Sequence, residues 1–77
     1  MENKLIKLLM SFFKITEEEA KNASMESVSN WDSLNHIELM MTLEEEFDIS
    51  KIIPDEIVFM VNIENIKKIL NSKGLVI

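Results

Sequence analysis

Residues 31–49 read Trp31-Asp32-Ser33-Leu34-Asn35-His36-Ile37-Glu38-Leu39-Met40-Met41-Thr42-Leu43-Glu44-Glu45-Glu46-Phe47-Asp48-Ile49, and this stretch decides the fold. Its apolar residues recur three and four apart, which predicts a helix over 33–47. At about 100° per residue, Leu39, Met40, Leu43 and Phe47 fall on one side, with His36 among them. Leu34, Ile37 and Met41 fall together ~140° away around the axis. The first stripe is the ordinary core-facing one. The second admits two readings. Either it packs under a neighbouring segment, as interior residues do, or it stands open as a docking face. In the second case Glu38 and Glu45 rim one edge and Glu44 and Asp48 the other. Apolar contacts then give affinity, the acids give orientation, and the flexible Met41 thioether adapts to differing partners.

The start of this helix has its own chemistry. Asp32 is placed to cap it, its carboxylate accepting from a first-turn amide. Ser33 follows at the first helical position, where an anion attached to its hydroxyl is stabilised by free amides and the helix dipole. On spacing alone, the reading of Ser33 as merely a tolerated first-turn residue prevails. His36 is the only histidine and lies on the core side of the wheel, away from Ser33, so the pair does not form a nucleophile and base. No Gly-x-Ser-x-Gly elbow exists, since Gly74 is the one glycine. No catalytic residue is assigned, and the chain is not expected to be an enzyme.

Outward from the centre, residues 3–14 are apolar at 5, 6, 8, 9, 12 and 13, a wide helical stripe. Residues 63–72 repeat the pattern through Ile63, Ile66, Ile69 and Leu70. Pro54-Asp55-Glu56 opens a short helix, with proline and acids both favoured in a first turn. Residues 16–31 are polar and lack sustained periodicity, reading as a long loop with a helical turn at 17–22. Gly74 is a stop signal after the last helix. The expected fold is all-α: a small four-helix bundle of three longer helices and one short third helix, with a long loop between helices 1 and 2. One domain spans residues 1–77.

Composition narrows the function. The 77 residues are 47% hydrophobic with no cysteine, enough apolar content for a core and no material for a disulfide or thiolate site. The 8 basic residues are all Lys, against 14 acids and a net charge of −6. The excess is concentrated in residues 32–57, with eight acids and only Lys51. Nucleic acid is excluded as a partner, because phosphate binding needs clustered cations; the partners expected are basic proteins. Glu44-Glu45-Glu46 lacks the glycine and Asp/Asn ladder of a calcium loop, so no metal site is expected. Lys7 and Lys14 interrupt the N-terminal apolar stretch, which argues against a signal peptide. No run reaches the ~18 apolar residues of a membrane span. The expected location is the cytoplasm, and the expected state a monomer.

The run Trp31-Asp32-Ser33-Leu34-Asn35-His36-Ile37-Glu38-Leu39, followed by Leu43-Glu44-Glu45-Glu46-Phe47-Asp48-Ile49 and Ile53-Pro54-Asp55-Glu56, resembles the acyl carrier proteins over essentially the full chain. The resemblance implies that Ser33 is esterified by 4′-phosphopantetheine. Coenzyme A donates the group through a Mg²⁺-dependent phosphopantetheinyl transferase, and its thiol carries acyl groups as thioesters between loading and transfer enzymes. It implies that Asp32, Leu34, Ile37, Glu38, Met41, Glu44 and Glu45 dock basic patches on those partners. Ile53, Asp55 and Glu56 correspond to positions flanking the third helix that assist docking and line the acyl cleft. Trp31 stands where fatty-acid-synthesis members usually have glycine. That form resembles carriers dedicated to specialised acyl transfers, and with Phe59 it bears on the cleft. The alternative from the residues alone is an unmodified acidic adaptor using the Leu34/Ile37/Met41 face.

Overall fold

Leu5, Ile6, Leu9 and Phe13 share one side of the first helix, α1 (Glu2–Phe13), and all four are buried. This pattern organises a computed structural model that describes residues 2–76. The second helix, α2 (Glu17–Lys21), is a single short segment. The third is α3 (Ser33–Phe47), the fourth α4 (Pro54–Phe59) and the fifth α5 (Ile63–Ser72). The fold is all-α. Among the described residues the only β pairing is an isolated antiparallel bridge between Ser24 and Asn62.

Among the described residues five helices are present where four were expected, because the helical turn expected at 17–22 is a short helix in its own right. The Thr16 hydroxyl accepts from the Glu19 amide at 3.1 Å, and the Glu19 carboxylate accepts from the Thr16 amide at 2.9 Å. This reciprocal capping box satisfies two otherwise orphaned donors and starts α2. The rest of the segment is pinned to the body. Met25 donates its amide to the Val61 carbonyl at 2.9 Å, and Ile63 donates to Ala23 at 3.0 Å. Ala20, Ala23, Val28 and Trp31 are buried, and Trp31 stacks on Phe13 with ring centroids 4.9 Å apart.

The core joins α1 to Leu39, Leu43 and Phe47 of α3, and to Ile63, Ile66 and Leu70 of α5. Three helices close their ends alike. Ile15 donates to Met10, Ile49 to Glu44 and Leu75 to Leu70, each reaching back five residues in the manner that satisfies terminal carbonyls. The turn needs a left-handed residue. Gly74 supplies it after α5, but Lys14 (φ 57) and Asp48 (φ 50) supply it after α1 and α3. Lys4 also serves the end of α3, donating to the Glu46 carbonyl with its ammonium 5.1 Å from the Phe47 ring centroid. A cation there complements the negative end of the dipole.

Helix α4 is built differently. None of its six residues is buried. Half-buried Ile57 packs against the core, and polar contacts add to it: Glu56 accepts from the Ile53 amide and pairs with Lys73 at 3.1 Å, while Asn65 donates to the Phe59 carbonyl at 2.8 Å. Lys73 also donates to Ser50 and to the Lys51 carbonyl, binding the end of α5 to the approach of α4. Among the described residues, no helix is long and apolar enough to cross a membrane.

Candidate functional site

The entry to α3 is fixed by its neighbours' side chains. Asn30 donates to the Phe13 carbonyl at 3.2 Å, tying the segment to the end of α1. Asn35 donates its side-chain amide to the Asn30 carbonyl at 2.7 Å. The Asp32 carboxylate accepts from the Asn35 amide at 2.9 Å, the expected cap. Trp31 donates its indole N–H to His36 Nδ1 at 2.9 Å, and His36 Nε2 donates to the Ile57 carbonyl at 2.7 Å. Every side chain within this knot has a partner.

Ser33 is the exception. It is exposed at the first helical position, and its hydroxyl makes no hydrogen bond among the described residues. The amides of Ser33 and Leu34 are likewise unpartnered there. A hydroxyl held on a rigid backbone, beside free amides at the positive end of a fifteen-residue helix, suits attachment of an anionic group.

The two apolar stripes of α3 separate cleanly. His36, Leu39, Met40, Leu43 and Phe47 are buried. Leu34, Ile37 and Met41 are 71%, 46% and 59% exposed. The reading in which the second stripe packs under a neighbour is therefore excluded. Leu34 adjoins Ser33, and the stripe runs from there along the helix with Glu38 and Glu45 exposed at its edge. Ile53 and Asp55 at the start of α4 are exposed too, as are Val58 and Phe59 further along it.

Three carboxylates assigned to docking are already committed within the chain, the first being Asp32 through its cap bond to Asn35. Glu44 Oε2 accepts from the Ile52 amide at 2.7 Å, satisfying a donor at a buried residue. Glu56 accepts from Ile53 and pairs with Lys73, and those bonds hold its carboxyl below the usual glutamate range, with the Ile53 amide the first cause. Glu38, Glu45 and Asp55 make no such contact. His36 is buried with both ring nitrogens satisfied, the structural role expected of it. The sequence reading missed its partners, because a Trp five residues earlier and a carbonyl twenty-one later leave no local pattern.

Among the described residues no cluster of acids and histidine is arranged to hold a metal ion. An open groove of ≈ 680 Å³ beside α2, lined by Lys14, Glu18, Asn22, Ser27 and Asn30 among others, contains none of the expected site residues. No family model matches the chain, and no solved structure matches it.

Proposed function

We propose that the chain is an acyl carrier protein, with Ser33 as the attachment point of 4′-phosphopantetheine and the Leu34/Ile37/Met41 face as its docking surface. The observation that carries this reading is Ser33 itself. Its side chain has no partner among the described residues, beside the bonded Asp32, Asn35 and His36 and at a helix start with two unpartnered amides. The residues fit the group: Ser33 would hold the phosphodiester, and the unpartnered Ser33 and Leu34 amides would meet its negative charge. The bound arm supplies the thiol that the cysteine-free chain lacks, and with it thioester carriage of acyl groups. In this reading α1, α3, α4 and α5 are the carrier bundle, and α2 is a short turn in its long first loop.

The partners are a phosphopantetheinyl transferase and acyl-loading and acyl-transfer enzymes presenting basic patches. Glu38, Glu45 and Asp55 are the carboxylates free to meet them; Asp32, Glu44 and Glu56 act chiefly by holding the surface in shape. Trp31 supports a dedicated pathway over the housekeeping one, and a cytoplasmic setting follows from the transferase partner. Incubation with coenzyme A and a competent transferase adds one prosthetic group by intact mass, and Ser33→Ala abolishes the addition. Unchanged mass, or labelling of Ser33→Ala, overturns the proposal. An unmodified adaptor, by contrast, keeps its cellular function in Ser33→Ala and loses it when the apolar face is charged.

A further inference from the structure

The bond between Trp31 and His36 has a fixed polarity. An indole N–H donates and has nothing with which to accept, so His36 Nδ1 must offer a lone pair at 2.9 Å. The Ile57 carbonyl only accepts, so Nε2 must carry the proton it donates across 2.7 Å. Only one form of the ring meets both demands: the neutral imidazole protonated on Nε2. The two side chains are 2% and 6% exposed, leaving little room for water to mediate.

A second proton on Nδ1 sets two donors facing one another inside the protein, and the hydrogen bond becomes a repulsion. The Ile57 bond survives, because Nε2 keeps its proton. The strain therefore falls on the Trp31 side. Trp31 stacks on Phe13 and immediately precedes the cap residue of α3. We propose that Trp31 and His36 form a proton-operated switch, in which uptake of one proton at His36 Nδ1 expels the indole from its bond and loosens the segment leading into Ser33.

Charged groups on the surrounding elements do not intervene. On the histidine's own helix, Asp32 is occupied by the Asn35 amide and Glu38 is exposed. At the end of α1, Lys14 is exposed beyond Phe13. At the start of α4, Asp55 is exposed, and Glu56 is paired with Lys73. None bonds the ring. The inference is independent of whether Ser33 is modified.

The chain reports on itself, since it has one Trp, no Tyr and one His. Emission of the full chain is followed as pH is lowered from about 8 until helicity is lost, with far-UV circular dichroism alongside. The expected result is a reversible one-proton step that shifts emission to the red while helicity is retained. His36→Gln, which keeps an acceptor and a donor but does not titrate, loses the step. A parent without a step, or a Gln variant with the same step, overturns the switch. Imidazole ¹⁵N NMR of the parent gives a second reading that needs no variant: the Nε2–H tautomer at about pH 8 is expected, and any other form there overturns it.

Discussion

The two faces of α3 share one backbone, one cap and similar apolar residues, yet they are held to different tasks. Leu39 and Leu43 are fully buried, while Leu34 and Met41, two turns of the same ridge, are mostly exposed. Burying a large aliphatic side chain stabilises a fold by about 1.5–3 kcal/mol; leaving three in water forgoes that gain. Hydrophobicity alone thus does not tell core from surface. The neighbours decide, and on this face none of the described helices supplies a cover.

Substitution separates the faces. Leu43→Ala should cost about 2–5 kcal/mol, read as a lower denaturant midpoint; a cost below that of a surface change would mean the buried face is not the one that holds α3. Glu44→Ala, at the border, should cost about 1–3 kcal/mol by stranding the Ile52 amide, whereas Glu45→Ala should leave thermal unfolding unmoved. Equal effects would erase the distinction between bonded and free carboxylates. Glu56 gives a pH test of the same distinction. Its folded pKa is lowered, so its stabilising contribution is whole above the usual glutamate range and is lost as pH falls through the lowered folded value. Glu56→Gln should flatten that part of the acid limb. The smallest stability effect belongs to the open face: Leu34→Ala and Met41→Ala should stay within ~0.5 kcal/mol of the parent while weakening partner capture. A large loss of stability would show that this stripe is covered after all.

The helices were legible because their signals are local. The apolar spacing in 33–47 and 63–72 matches α3 and α5 to the residue, Asp32 is the cap, and Pro54 opens α4. The segment expected as a helical turn at 17–22 is the short helix α2, its start marked by Thr16 and Glu19 at capping-box spacing and its length too short for periodicity to register. The candidate site was legible in part. Ser33 at a helix start and two apolar stripes can be read from spacing, but whether a stripe is covered depends on where other elements go. Likewise, the commitments of Glu44 to Ile52, Glu56 to Lys73 and His36 to Ile57 join residues eight to twenty-one apart, and nothing in the intervening sequence encodes them.

Helix α4 carries a consequence of its own. With only the half-buried Ile57 packed against the core, it can come away from the body while exposing less apolar surface than α1, α3 or α5 would. Such an opening has a small heat-capacity change and a weak dependence on denaturant. Its amides should therefore exchange with solvent by a local route that urea barely accelerates, whereas those of α1, α3 and α5 await a larger opening that urea strongly promotes. The protein thus has two levels of cooperativity: a three-helix unit joined by its core, and a short helix attached through one half-buried isoleucine and a few polar bonds.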